Sequence, residues 1–150
     1  MDNVVDCVLL IDDSKATNFF NSTVLAKHKS FDKILIKQSG KAALEYLSEV
    51  EKGNAIKPRL IFLDLNMPAM NGWEFLIEYE GLNPSLTNDI TVIILTTSSD
   101  HRDIEKSKSN DLVTDLINKP LSLPILNSVI NKHFLTPHSY EKNKNGSFSG

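Results

Sequence analysis

Five short apolar runs, each followed by a stretch with helical spacing, constrain this chain more than any other feature. The runs are "VVDCVLLI" (4–11), "KILIK" (33–37), "RLIFL" (59–63), "ITVIIL" (90–95) and "LVTDLI" (112–117). Most are near-continuous and rich in β-branched residues, which predicts strands buried on both faces. Helices are predicted between and after them, over 14–29, 39–52, 72–81, 100–110 and 122–134. In the first, Ala16, Phe20 and Val24 recur at i, i+4 and i+8 with Phe19 and Thr23 beside them. That is one helical stripe, and Ser14 is placed to cap it. The second carries Ala43, Leu47 and Val50 on one face, with Ser39 as cap and Gly53 and Asn54 at its end. The third packs through Phe75, Leu76 and Tyr79, and the last through Leu126, Val129, Ile130 and His133. "LNPSLTND" (82–89) reads as a polar connector. "DHRDIEKSKSN" (100–110) has helical propensity, but Ile104 is nearly its only apolar residue.

Strand and helix alternate five times. This predicts an α/β fold, a doubly wound five-stranded parallel sheet with helices on both faces and right-handed crossovers. At 150 residues the chain is long enough to bury one core. One domain is expected over 1–134. From about Leu135 the composition turns to Pro, His, Ser, Asn, Lys and Gly, which predicts a disordered tail over 135–150. Cys7 is the only cysteine, so no intrachain disulfide forms; it reads as a small core residue, and a reducing cytoplasm fits. No apolar run reaches transmembrane length, and "MDNVVDCVLLIDD" has acids where a signal peptide carries bases. A soluble, cytoplasmic protein is expected. The net charge of −3 gives no reason to expect nucleic-acid or membrane partners. His28, His101, His133 and His138 lack metal-ligand spacing and read as surface or interface residues.

The polar residues at the strand ends carry the chemistry. The first strand ends at Asp12 and Asp13, the third at Asp64, the fourth at Thr96 and Thr97, the fifth at Asn118, Lys119 and Pro120. Sites in open α/β sheets form outside the carboxyl ends of the strands. If strands 1, 3, 4 and 5 are neighbours, one rim holds three carboxylates, a hydroxyl and an ammonium. Crowded carboxylates require a cation, and an all-oxygen donor set suits Mg²⁺. The ammonium suits a phosphoryl oxygen, or pairs with Asp64 when no phosphate is present. The set reads as a carboxylate nucleophile that accepts a phosphoryl group.

The acid pair after strand 1, D-x-N-x-P-x-x-x-G over 64–72, Thr96 after strand 4 and Lys119-Pro120 after strand 5 all fall in register. Over roughly residues 4–134 the chain resembles the stand-alone, chemotaxis-type receiver domain of bacterial two-component response regulators. The resemblance implies the flavodoxin-like strand order 2-1-3-4-5 and a phosphoacceptor signalling protein rather than an enzyme. It implies Asp64 as phosphoacceptor, Mg²⁺ held by Asp13 directly, by Asp12 mostly through water, by Asp64 and by the Asn66 backbone carbonyl. It also implies Thr96 as switching hydroxyl, Lys119 as phosphate-binding lysine and a cis Lys119–Pro120 bond. "NMPAMNG" would curl the loop so that a carbonyl reaches the metal, with Gly72 supplying the freedom for the turn. The implied partners are a histidine kinase, or a hybrid kinase or phosphotransfer protein, and a downstream protein reached by surface contact, with a weak homodimer possible.

The sequence departs from that family at Leu116, where many receivers carry an aromatic switch residue three positions before the lysine. Aromatic–threonine coupling of the usual kind is put in doubt there. The connectors "EKGNAIKP" and "LNPSLTND" are longer than in the smallest receivers, as in stand-alone receivers served by phytochrome-type and hybrid kinases. A phosphatase of the haloacid dehalogenase type would need an acid at Asn66, whose amide cannot shuttle a proton. A flavodoxin-like cofactor binder would need a phosphate cradle where "DDSKATN" places two acids. The alternative is a degenerate receiver that binds proteins without phosphorylation. On the receiver reading, the surface over about 100–122 changes with phosphorylation.

Overall fold

The computed structural model describes residues 4–97 and 99–135. Five parallel strands, β1 (Val5–Ile11), β2 (Phe31–Lys37), β3 (Leu60–Leu63), β4 (Thr91–Thr96) and β5 (Asp115–Asn118), form one sheet in the order β2-β1-β3-β4-β5. Every residue of β3 and all but Asp6 of β1 are buried, as near-continuous apolar runs require. The helices are α1 (Lys15–His28), α2 (Gly40–Glu51), α3 (Gly72–Glu80), α4 (Pro84–Thr87), α5 (His101–Ser109) and α6 (Leu123–His133). α1 and α6 cover one face through Leu25, Leu126, Val129 and Ile130. α2, α3 and α4 cover the other through Ala43, Leu47, Phe75, Leu76, Tyr79 and Leu86. Cys7 is fully buried. The expected tail lies outside the described residues from position 136 on.

The caps explain where the helices begin. Ser14, Ser39, Asn71 and Ser122 each accept a backbone N–H from the first turn of the helix they precede. Asn71 and Glu74 close a reciprocal capping box. The connector 82–89 is not structureless: Asn83 caps the single turn of α4, and Leu86 is buried in the core. β5 begins three residues later than expected. Asn110 draws Leu112 N–H to its side chain and Val113 N–H to its carbonyl, so these apolar residues form a turn, not a strand.

The largest departure is in α1. Phe19 and Phe20 are 74% and 48% exposed, Ala16 and Thr23 are also exposed, and the buried positions are Asn18, Asn21 and Leu25. Of the expected stripe only Val24 packs against the core; Ala16 and Phe20 face solvent. The helix turns its asparagines inward because both satisfy buried groups. Asn18 Nδ2 donates to the Asp12 carbonyl at 2.8 Å, and Asn21 Oδ1 accepts Leu121 N–H at 3.3 Å. Leaving such groups unpaired would cost about 1–3 kcal/mol each.

Two histidines are structural rather than free surface residues. His28 Nε2 donates to Asn127 at 2.7 Å, with its ring edge-on to Phe31. His133 Nε2 stands 3.2 Å from Asp115 Oδ2, tying α6 to the edge strand. His101 is exposed, and His138 lies outside the described residues. Burial alone would raise the Asp115 carboxyl. The His133 hydrogen bond, the Leu116 N–H and nearby Lys132 outweigh it and hold the group below its ordinary value. A depressed folded-state value contributes stability that is present above the unfolded value and lost as pH falls through the folded one. Asp115→Asn is therefore expected to destabilise at neutral pH by on the order of 1 kcal/mol. In thermal melts the gap from the parent should close as pH falls below the ordinary carboxylate range; a gap that stayed constant with pH would refute the assignment.

Candidate functional site

The register of the sheet builds the site. Ile11 pairs with Leu63, so the next residues, Asp12 and Asp64, stand side by side at adjacent strand ends, and Asp64 N–H donates to the Ile11 carbonyl at 2.9 Å. Thr96 pairs with Asn118, and Lys119 N–H continues that ladder to the Thr96 carbonyl at 2.9 Å. One carboxylate oxygen from each of Asp12, Asp13 and Asp64 lies within 4.8 Å of the others. From β5, two strands away from β3, the Lys119 ammonium reaches both buried acids, 2.7 Å from Asp12 Oδ2 and 3.2 Å from Asp64 Oδ1.

Burial is what gives this cluster its electrostatics. Asp12 and Asp64 are each 5% exposed, and the Lys119 side chain is 14% exposed. Desolvation and then the Asp12 charge raise the Asp64 carboxyl above its ordinary value, against the pull of Lys119 and the Asn66 N–H. Burial works against the Lys119 ammonium too, but the two carboxylates overcome it and raise its value, so the lysine stays charged. Asp12 has both oxygens engaged, Oδ1 by Ser14 N–H at 2.9 Å and Oδ2 by Lys119. Asp13 is exposed and has no hydrogen-bond or ion-pair partner among the described residues. The donors are all hard oxygens, one of them uncommitted, and this set fits a Mg²⁺- or Mn²⁺-type cation.

The loop after Asp64 is held by backbone geometry. Its left-handed residue is Ala69, at φ 67°, in the tight turn closed by Met70 N–H to the Pro68 carbonyl at 2.7 Å. Such a conformation costs on the order of 1–3 kcal/mol. Gly72 is therefore not the flexible point of the turn. It is needed for close approach, because a Cβ there would sit 2.7 Å from the Asp64 carbonyl oxygen and 2.9 Å from Leu65 Cα. Met70 in turn rests on α2, where a Cβ on Gly40 would meet its sulfur at 2.6 Å. Asn66 is exposed, and its N–H donates to Asp64.

All the residues singled out in sequence come to this rim except Leu116. Thr96 is fully buried at the end of β4, and the Lys119–Pro120 bond is cis. Leu116 sits half-buried on β5 opposite Ile94 and lines a cavity of about 360 Å³ against Ile104, Ser107 and Lys108 of α5. Asn18 and Asn21, which hold the Asp12 and Leu121 backbones in place, were missed. Their signal in sequence is two amides at i and i+3, five and eight residues after Asp13.

Comparison with known proteins agrees with this geometry. The model of the response regulator receiver domain matches residues 8–131. Response regulator Rcp1 of Synechocystis sp. is 38% identical over 98 residues, 65% of this chain and 65% of that protein, so the chain spans just under two thirds of that relative. The crystal structure of the Mn(2+)-bound form of response regulator Rcp1 gives a TM-score of 0.70 at 31% identity, covering 87% of this chain and 96% of that one. A two-component response regulator from Cytophaga hutchinsonii gives 0.79 at 35% identity, over 85% and 96%. The phosphorylated cyanobacterial phytochrome response regulator RcpA gives 0.68 at 32% identity, over 87% and 94%. Receiver domains bind a divalent metal at an acidic pocket and take phosphoryl groups from histidine kinases, and no helix among the described residues is long and apolar enough to cross a membrane. With the sheet order, the acid cluster and the lysine in place, this chain belongs to the response regulator receiver domain family.

Proposed function

We propose that residues 1–134 act as a cytoplasmic receiver unit that takes a phosphoryl group onto Asp64 from the phosphohistidine of a histidine kinase, hybrid kinase or phosphotransfer protein. The observation that supports this most is the Lys119 ammonium bridging Asp12 and Asp64 beside the uncommitted Asp13. One Asp64 carboxylate oxygen forms the new bond to phosphorus as the donor P–N bond breaks. The electron pair leaves with the imidazole, which takes up a proton. Lys119 and the Asn66 N–H are positioned to hold charge on the incoming group, and Thr96 is the hydroxyl that moves toward it. Asp13 would hold Mg²⁺ directly, with Asp64 and the Asn66 carbonyl, and Asp12 mostly through water. The ion, when bound, neutralises oxygen charge during transfer.

The outward stripe of α1 suits the donor. α1 starts at the acid cluster, since its cap Ser14 donates its N–H to Asp12, and Phe19 and Phe20 lie little more than one turn further on. Exposed phenylalanines so close to the site form an apolar seat for the helix that carries the donor histidine. On the opposite side of the rim, α5 fully buries only Ser107. It is anchored to α3 by Trp73 Nε1–H donating to Asp103 at 3.0 Å and by Lys106 lying 4.8 Å from the Trp73 ring centre. So lightly packed an element is suited to shift when Thr96 moves, and the surface around α5 and Leu116 is the output face on this reading.

Three outcomes are expected. With Mg²⁺ and a small acyl phosphate, intact-mass measurement should find one phosphoryl group on the parent and none on Asp64→Asn. Amide exchange should then change over about 100–122 as well as at the site. Equal labelling of both proteins would refute the acceptor, while an unlabelled parent would favour the phosphorylation-independent alternative. In calorimetric titration Asp13→Ala should weaken Mg²⁺ binding more than Asp12→Ala, and equal losses would break the direct-versus-water distinction. Replacing Phe19 and Phe20 together with Ala should slow transfer from a kinase about tenfold while leaving acyl-phosphate labelling unchanged. A matching loss with both donors would place the pair's role in folding, not docking.

A further inference from the structure

Asn18 is an unusual choice for its position at the end of the first turn of α1. It is 3% exposed and lines the closed space beside Asp12 and Asp64, against Leu10, Phe62 and Leu95. Asparagine is a poor helix former away from a cap. Its Oδ1 is buried and has no hydrogen-bond partner among the described residues. An unsatisfied buried oxygen costs stability, and leucine, of similar shape, would avoid that cost. What leucine lacks is a donor. Asn18 Nδ2 donates to the Asp12 carbonyl at 2.8 Å, and no other group among the described residues does so.

That carbonyl belongs to the same rigid peptide plane as the Asp13 N–H. The plane is pinned at its oxygen alone, because the Asp13 N–H and carboxylate make no hydrogen bond or ion pair among the described residues. Asp12 and Asp64 are oriented differently, through their own side chains, which both meet Lys119. Asp13 has no such contact. The direction of its Cα–Cβ bond follows from the backbone, and the Asn18 bond is the contact that sets the peptide before it.

We propose that Asn18 is a positioning residue of the metal site, holding the Asp12–Asp13 peptide so that the Asp13 carboxylate stays within 4.8 Å of those of Asp12 and Asp64. This rests on the reading of Asp13 as a direct Mg²⁺ ligand. Asn18 contributes no ligand of its own, since its remaining oxygen is closed off by burial. It acts through Asp13.

The test is a Mg²⁺ titration of the full chain followed by amide NMR, with thermal melts recorded without Mg²⁺. Asn18→Leu and Asn18→Ala both remove the donor. The first keeps the volume and the second avoids any clash, so one folded variant suffices. Each should weaken Mg²⁺ binding about fivefold or more. In an Asp13→Ala background the same substitution should cause no further loss, as expected of a residue that works through Asp13. Equal losses in the two backgrounds would overturn the proposal, because a general loosening of the fold does not depend on Asp13. So would parental Mg²⁺ affinity in a folded Asn18 variant, whatever its melting temperature; the metal reading itself would then stand. A parent chain that bound no Mg²⁺ would overturn that reading and this inference together.

Discussion

The rest of the structure is organised around one ammonium between two buried carboxylates. Asp12 and Asp64 are nearly inaccessible to water and adjacent in the sheet, an arrangement that like-charge repulsion and desolvation both oppose. Lys119 makes it tolerable, and it can do so only because the sheet brings the end of β5 to the same rim as β1 and β3. Removing one partner from so buried a group of charges typically costs about 3–5 kcal/mol, far more than a surface pair contributes. Such a cluster is stable but incomplete. Two negative charges face one positive charge, a third acid stands beside them without a partner among the described residues, and the set fits a divalent cation.

The surrounding features serve that placement. Asn21 fixes Leu121, two residues beyond Lys119, and so sets the course of the chain after the cis bond. Asn18 fixes the carbonyl of Asp12 itself. Gly72 lets α3 start against the Asp64 carbonyl, and the Asn66 N–H two residues after Asp64 turns back to its carboxylate. Strain at Ala69 and polar residues on the inner face of α1 are local costs that a simple packing rule would avoid. Both recur around the same few side chains, which is the pattern expected where a fold gives up local ease to hold a site.

What was legible in the sequence followed from strong periodic signals. β-branched runs gave all five strands, and because a parallel sheet aligns its carboxyl ends, the polar residues closing those runs gave the rim. The errors came where a polar residue did the work of an apolar one. α1 was read from Phe20 and Val24, yet Asn18 and Asn21 face inward, because hydrogen-bond demand at the strand ends outweighs the burial gained by two phenylalanines. Leu112 and Val113 read as strand, but Asn110 captures their amides first. Gly72 is expected to supply the freedom for the turn, yet the left-handed residue is Ala69 and Gly72 serves close approach, since sequence shows which residue tolerates a conformation and not where a loop needs room. The single turn at Pro84 was too short to show any period.

The same reasoning separates the two sides of the rim. α1 is fixed by hydrogen bonds between two buried side-chain amides and backbone groups, Asn18 donating and Asn21 accepting, so its exposed phenylalanines are presented on an anchored helix. α5 is tied to α3 by an indole hydrogen bond and a cation–ring contact, with an open cleft of about 360 Å³ between it and β5. Leu116, which lines this open cleft, has neither a ring nor a hydroxyl to fix one arrangement. On the proposed reading, a rigid face suits recognition of a donor that aligns with Asp64. A loosely held face suits a response, because two packings separated by a few kcal/mol can be exchanged by a single new contact at Thr96. The division of labour follows from where the chain places its buried polar groups: densely under α1, sparsely under α5.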